Sequence, residues 1–181
     1  MSGAGLKDAT ERAQAPGSPE PEEAELRSRA LYDQDEYGWL LQQAGLLRAG
    51  RLEEVDRASL AEFLTDMASS HQHAFRSAMT VLLHHMLKML VQPERITRSW
   101  LLTIRVQQRQ ARLVMESNPG MRQHLPELCA KAYADARGDA AAETGIAISR
   151  FPADNPWTMD EALAFVPPEP PPRARRAARR G

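Results

Sequence analysis

The sequence has one cysteine, few aromatic residues and no long apolar run. Because Cys129 has no second cysteine to pair with, a reducing cytoplasm is the expected location. The longest apolar stretch, residues 79–91, is interrupted by His84, His85 and Lys88 and falls short of the roughly 18 residues that a membrane span needs. The first residues lack the charged-then-apolar plan of a secretion signal. We therefore predict a cytoplasmic protein with no membrane span.

Neither sign of charge dominates, since 23 basic and 24 acidic residues give a formal net charge of −1. Whole-chain electrostatics therefore indicates no particular partner. Residues 1–29 are rich in Gly, Ala, Pro and Glu and are predicted to be a disordered tail. Residues 167–181 form a Pro/Arg-rich tail that could bind nucleic acid or anionic lipid through charge alone, or could simply reflect a GC-rich genome. Residues 30–166 are the predicted helical domain.

Leucine and alanine are frequent and β-branched residues are few, which favours helices over strands. Apolar residues at steps of three and four, separated by short links, predict an all-α fold. The predicted architecture is an up-and-down bundle of four main helices plus a short C-terminal helix. The predicted spans are residues 34–49, 59–91, 93–116, 126–144 and 159–165.

The first predicted helix is capped by Asp33, with Glu36 completing a capping box. Its predicted buried face comprises Tyr37, Leu40, Leu41, Ala44 and Leu47.

The second predicted helix starts with the box Ser59 to Glu62 and either continues to Val91 or bends near Ser69. It carries an apolar stripe predicted to be core: Leu60, Leu64, Met67, His71, Ala74, Ala78, Leu82, His85 and Met89.

The remaining predicted helices also have an apolar side. Pro93 is placed as the first residue of the third helix, and Thr158 with Glu161 caps the last. The third helix is lined by Trp100, Ile104, Gln107, Ala111 and Val114. The fourth has Leu125, Cys129, Tyr133, Ala136 and Ala140 inward and ends at Gly145.

The histidines do not have the spacing of a metal site. His71 and His85 share a helix face but are fourteen residues apart, whereas ligands on one helix lie three or four residues apart. Glu62 and Asp66 have that spacing without an accompanying Glu-x-x-His pattern. We therefore predict no metal and no cofactor, and histidines that serve as hydrogen-bonded structural residues.

Five arginines follow Pro93, and four of them fall within about 60° of each other on a helical wheel. They are Arg95, Arg98, Arg105, Arg109 and Arg112, with Arg95 at the margin. Three interpretations stay open: neutralisation by acids of neighbouring helices such as Glu53, Glu54, Asp135 or Asp139, a phosphate-bearing nucleic acid, or an acidic protein surface. Few aromatic residues accompany the arginines, which argues against base stacking on single strands.

An ordered series of short segments resembles the bacterial domain-of-unknown-function family 29. The segments are Leu31-Tyr32-Asp33, Leu46-Leu47-Arg48, Pro93-Glu94-Arg95, Arg98-Ser99-Trp100, Leu125-Pro126, Ala142-Glu143-Thr144-Gly145 and Pro156-Trp157-Thr158. The resemblance covers residues 31–165 and implies an all-helical, soluble bacterial protein. It implies no activity, because the family is uncharacterised.

The leading prediction is a small bacterial interaction or regulatory module without catalytic activity, acting on an unknown protein partner or by self-association. Exposed Leu102 and Val106 beside the arginines suit an interface. The predicted binding residues are Arg95, Arg98, Arg105, Arg109, Arg112, Lys88 and His85. One alternative is a nucleic-acid-binding module using the arginines and the basic tail. The other is an enzyme with a polar site around Glu62, His85 and Lys88.

Overall fold

The computed structural model describes residues 21–168, with side chains from residue 26 onward. These residues contain helices and no strand, which confirms the predicted all-α class. None of the helices in this part of the chain is long and apolar enough to cross a membrane. The α-helices are α1 (Pro21–Gln34), α2 (Glu36–Arg48), α3 (Arg57–Val91), α4 (Arg98–Ser117), α5 (Leu125–Thr144) and α6 (Met159–Ala164).

Helix α1 begins inside the segment predicted to be a disordered tail. Its Ser28 hydroxyl accepts a hydrogen bond from the Trp39 indole, and its Tyr32 ring lies 4.7 Å from the Trp39 ring, centroid to centroid. These contacts stabilise a helix whose own composition favours disorder, which is why the sequence prediction differs over residues 21–29. Residues 1–20 and 169–181, including the basic tail, lie outside the described residues.

The chain forms two compact units, and the boundary falls inside α3 between Leu64 and Thr65. Trp39 is fully buried at the centre of the first unit. The Gln43 side chain, also buried, accepts a hydrogen bond from the backbone N–H of Asp56 at 2.9 Å. This bond fixes the loop that leads into α3.

The cap of α2 is Asp35, whose carboxylate accepts the backbone N–H of Gly38 at 2.9 Å. The prediction of Asp33 as the cap is wrong, because Asp33 lies in the last turn of α1 and pairs with Arg29 at 3.6 Å. Without knowing that α1 exists, the sequence offers two equally good acidic caps.

The predicted buried face of α2 is also mostly wrong. Tyr37 is 73% exposed, and Leu41 and Leu47 are exposed too. The buried residues are Trp39 and Gln43, one helical turn apart and on the opposite side from Tyr37 and Leu41. Because leucines occur in adjacent pairs along α2, its apolar spacing fits two faces, and only the contacts with α1 decide between them.

Helix α3 is continuous over its 35 residues, with no break near Ser69. Its first turn is capped by Asp56, which accepts the backbone N–H of Ser59 at 3.0 Å, so the predicted capping box at Ser59 is wrong. Burial opposes ionisation of Asp56, but its hydrogen bonds, first among them that from Ser59, lower the pKa of the carboxyl below its usual value.

Only the second half of the predicted α3 stripe is core. The residues Ala78, Leu82 and Met89 are buried, whereas Leu64, Met67, His71 and Ala74 are exposed. Periodicity predicts which side chains share a face of a helix; it does not predict where along the helix another element covers that face.

The second unit packs α3, α4, α5 and α6 around one apolar core. Arg76 on α3 pairs with Asp135 on α5, and Lys88 pairs with Glu143 about three turns later on α3 and two turns later on α5. The two helices therefore run in the same direction, as the first and third helices of an up-and-down arrangement do. The core includes Phe75, Met79, Leu83, Met86, Leu87, Ile104, Ala111, Val114, Leu128, Ala132, Tyr133, Ala136, Ala140, Phe151 and Leu163.

The start of α4 differs from the prediction, while the start of α6 agrees with it. Pro93 lies in a separate 3₁₀ turn, and α4 is capped by Thr97, whose hydroxyl accepts the N–H of Trp100. Proline disfavours helix in the residue before it, but it does not select between a 3₁₀ turn and an α-helix after it. The predicted capping box of Thr158 and Glu161 is confirmed.

Gly145 ends α5 in the left-handed region, with φ of 69°, as the sequence predicts. We expect Gly145→Ala to destabilise the protein by about 1 kcal/mol, because a Cβ is strained at this φ. In contrast, Gly138→Ala inside the same helix should stabilise it by about 0.5 kcal/mol, because nothing lies within 4 Å of the new Cβ. Urea unfolding measures both, and equal shifts of the same sign would contradict this placement of Gly145.

Candidate functional site

The outward side of α4 carries two parallel strips of side chains, which together we call the α4 face. The basic strip is Arg98, Arg105, Arg109 and Arg112; the apolar strip is Leu102, Val106 and Leu113. All seven residues are exposed, Leu102 by 64% and Leu113 by 55%. At 100° per residue, the basic strip covers about 60° of the helix surface, and the apolar strip lies directly beside it.

No carboxylate in residues 26–168 lies within 4.0 Å of any guanidinium of the α4 face. Three of the four acids expected to neutralise the strip have other partners: Glu53 pairs with Arg57, Glu54 with Arg51 and Asp135 with Arg76. The fourth, Asp139, forms no ion pair with the strip. Like charges at this spacing disfavour the isolated helix by a few tenths of a kcal/mol per pair. Within residues 26–168, internal neutralisation, one of the three interpretations, therefore does not account for the basic strip.

Arg95 is not part of this face. It lies in the 3₁₀ turn Pro93–Arg95, before α4 begins, and so leaves the helical register that the wheel assumed. The remaining four arginines stay in register because α4 runs unbroken from Arg98 to Ser117.

The inward side of α4 is held firmly by α6 and the residue that follows it. The buried Gln108 amide donates hydrogen bonds to the backbone carbonyls of Ala162, at 3.0 Å, and Phe165, at 2.8 Å. The Arg112 guanidinium donates to the carbonyl of Leu163. Gln108 takes the place predicted for Gln107, which is only half-buried. These bonds orient α4 so that its two strips face outward.

A second group of polar residues surrounds Lys88, and we call it the Lys88 cluster. Lys88 is only 3% exposed; its ammonium donates to the Glu143 carboxylate and lies 4.2 Å from the centroid of the Trp100 ring. His84 bonds the other oxygen of Glu143 at 2.6 Å. The hydrogen bond from Lys88, followed by that from His84, lowers the pKa of the Glu143 carboxyl. The cluster ties α3, α4 and α5 together.

His85 belongs to the edge of the Lys88 cluster. Its Nδ1 lies 3.0 Å from the carbonyl of Val81, and its ring meets Trp100 edge-on at 6.3 Å. Burial lowers the pKa of the His85 imidazole, and the nearby His84 and Lys88 lower it further, against the opposing effects of the Val81 carbonyl and, to a smaller extent, Glu143. An open depression of about 540 Å³ beside His84 and His85 is lined mainly by apolar surface.

The pKa of His85 makes stability depend on pH. Because it is lowered in the folded state, the unfolded chain binds the proton more readily, so stability should fall as pH drops below about 6.5. We expect His85→Gln to flatten that part of the curve, measured as urea midpoints at several pH values. The exposed His71→Gln serves as control, and an unchanged slope in His85→Gln would contradict the assignment.

The enzyme alternative requires Glu62, His85 and Lys88 to act together. The Glu62 carboxylate instead accepts a 2.6 Å hydrogen bond from Arg29 in the first unit. Lys88 pairs with Glu143 in the second. Glu62 and Lys88 are thus each held by a different partner, and the enzyme alternative stays a prediction.

Metal ligation and thiol chemistry gain no support from the described residues. No group of three His, Cys, Asp or Glu residues between positions 26 and 168 is placed to hold an ion. Cys129 is half-buried, and burial raises the pKa of its thiol to about 11, so at neutral pH it is not the thiolate that a nucleophile requires.

Sequence reasoning missed Glu143, the residue that organises the Lys88 cluster. Helical periodicity places Glu143 on the inward side of α5, in line with Leu125 and Ala136, but its partners lie more than fifty residues away. A second indication was its presence in the segment Ala142-Glu143-Thr144-Gly145 of the family resemblance.

A family model with the description "Domain of unknown function DUF29" matches residues 31–166. This range agrees with the resemblance drawn from the sequence segments. No curated protein and no solved structure matches the chain.

Proposed function

Since the chain belongs to the DUF29 family, a domain of unknown function, we propose its role from the geometry: it is a protein-interaction module that binds an acidic partner through the α4 face. The observation that carries this proposal is the exposed basic strip without carboxylate partners, running beside an exposed apolar strip. Interfaces combine apolar contact with arginine, and exposed apolar patches mark interaction sites. The single cysteine supports a cytoplasmic setting for this role, and the family resemblance implies a bacterial one.

The apolar strip favours a protein over a nucleic acid as the partner. Nucleic acid is bound through arginine contacts to phosphates, and Leu102 and Leu113 would gain little against a phosphate backbone. A protein surface can satisfy both strips, because its acidic side chains pair with the arginines while its apolar side chains cover the leucines. Nucleic-acid binding by the same arginines is the second candidate, and its salt dependence distinguishes it.

Binding to defined probes tests the proposal. We expect a fluorescent peptide rich in Glu and Leu to bind in an anisotropy titration and to stay bound at about 0.3 M salt, because apolar contact is not screened. Duplex DNA and RNA of similar charge should bind weakly and lose affinity steeply with salt. Tighter binding of either nucleic acid than of the peptide at about 0.15 M salt would overturn the proposal.

Charge reversal locates the binding surface. We expect Arg105→Glu together with Arg109→Glu to weaken peptide binding at least about tenfold, since two attractive contacts become repulsive. The matched control is Arg122→Glu with Arg150→Glu, two exposed arginines outside α4. Equal losses in both double variants would show attraction by general charge and would contradict a site on α4. A dimer that Arg105→Glu with Arg109→Glu converts to a monomer would identify the partner as a second copy instead.

A further inference from the structure

The two strips of the α4 face are straight, parallel and of similar length. The apolar strip spans 12 residues from Leu102 to Leu113, and the basic strip 15 residues from Arg98 to Arg112. At a rise of 1.5 Å for each step between residues, the strips are about 17 Å and 21 Å long. A partner that satisfies both must present an apolar row and an acidic row side by side over that distance.

One secondary-structure element meets this requirement by itself. A helix repeats side chains at steps of three and four, the steps that also separate Arg109 from Arg112 and Arg105 from Arg109. A single β-strand displays one row on each face, so two adjacent rows on the same face would need a second strand. A single helix is therefore the simplest occupant of the α4 face.

The chemistry of the occupant follows from the two strips. None of the four guanidinium groups has a carboxylate partner among residues 26–168, where Arg112 donates to a backbone carbonyl. Such groups require Asp or Glu along one row of the occupant. Leu102, Val106 and Leu113 require an apolar row beside it. A second copy of this chain docked α4 to α4 fits poorly, because it would add four more arginines to the interface and only Glu116 from the same helix.

The α4 face is preorganised for such an occupant. Thr97 caps the helix, and Gln108 anchors its middle to the backbone carbonyls of Ala162 and Phe165 through two hydrogen bonds. Little backbone order must therefore be created on binding, which lowers the entropic cost of association.

We infer that the occupant of the α4 face is one acidic amphipathic α-helix of a partner protein, lying along α4 with its apolar row on Leu102, Val106 and Leu113. This inference rests on the proposed function and specifies the form of its partner. A contact of one helix on one helix is small, so the complex belongs to the weak, transient class, with a dissociation constant on the order of micromolar.

Three peptides of about 18 residues and identical composition test the inference with the full-length protein. Two of the peptides are helical and carry a Leu row. Their Glu row lies on the left of the Leu row in one peptide and on the right in the other, because parallel and antiparallel docking require opposite sides. The third has the same residues in an order without helical periodicity. Anisotropy titration measures all three, and circular dichroism checks that each protein variant is folded.

We expect one helical peptide to bind at least about tenfold more tightly than the scrambled one, and Leu102→Ser with Leu113→Ser to remove that preference. If all three peptides bind equally well and the variant with Arg105→Glu and Arg109→Glu binds none of them, the inference of a helical partner is wrong and the proposed function stands. Binding of none of them, or tighter binding of duplex DNA or RNA, would overturn both.

Discussion

Replacing Trp39 by alanine is expected to destabilise the first unit by about 4 kcal/mol, the largest effect of any substitution considered for that unit. Trp39 is fully buried, its ring packs against Tyr32 and lies 6.2 Å from Phe63, and its indole N–H donates to Ser28. Alanine leaves a cavity and removes the donor. Denaturant unfolding gives the free energy, and hydrogen exchange of the α2 amides reports whether this helix is the part affected.

Two further substitutions at α2 sharpen the Trp39 prediction. Trp39→Phe keeps most of the apolar volume and loses the indole donor, so its cost should be near 1 kcal/mol. Tyr37→Ala should change stability by less than about 0.5 kcal/mol, because Tyr37 is mostly exposed. If Tyr37→Ala were as damaging as Trp39→Ala, the face predicted from periodicity would be the buried one and the structure of α2 would be wrong.

The second large effect concerns Glu143, which holds the buried ammonium of Lys88. Removing the carboxylate with Glu143→Ala leaves Lys88 beside the Trp100 ring with its charge no longer neutralised. Because Glu143 itself is half exposed, the cost should be below that of a fully buried pair, about 2 kcal/mol. Urea unfolding near neutral pH measures this cost.

Lys88→Met is the matched comparison for Glu143→Ala. Methionine fills a similar volume and carries no charge, so Lys88→Met should change stability by less than about 1 kcal/mol. Adding Glu143→Ala to Lys88→Met should then cost little, since no buried charge remains. Costs that simply add in the double variant would contradict the pairing of Lys88 with Glu143.

Glu143 should also contribute to the loss of stability at acidic pH. Its pKa is lowered in the folded state, so the stability that its bonds contribute is present above the ordinary carboxyl pKa and is lost as pH falls through the lowered value. This loss lies at lower pH than the contribution of His85, and the two single variants separate them.

Sequence reasoning was most successful where a local rule decides the structure. The left-handed Gly145, the box of Thr158 with Glu161 and the inward side of α5 depend on residues a few positions apart. Sequence reasoning failed where an element distant in the sequence determines the local structure. Asp33 could not be excluded as a cap without knowing that α1 exists, and the exposure of Met67 depends on which elements pack beside that part of α3.

The candidate site shows the same division. The alignment of Arg98, Arg105 and Arg109 follows from helical geometry and is confirmed by the register of α4. Whether acids from other helices neutralise these arginines depends on tertiary contacts, and the structure pairs three of the four predicted acids, Glu53, Glu54 and Asp135, with other residues. The Lys88 cluster could not be predicted, because Glu143 reaches α3 from a helix fifty-five residues later.

Amide chemical-shift changes of the isotope-labelled protein, measured residue by residue as the acidic helical peptide is added, show whether the α4 face is the binding site. We expect changes concentrated on the outward residues of α4, from Arg98 to Leu113, and their loss in the Arg105→Glu, Arg109→Glu variant. Changes centred on the depression beside His84 and His85, or spread over exposed arginines such as Arg122 and Arg150, would contradict a binding site on the α4 face.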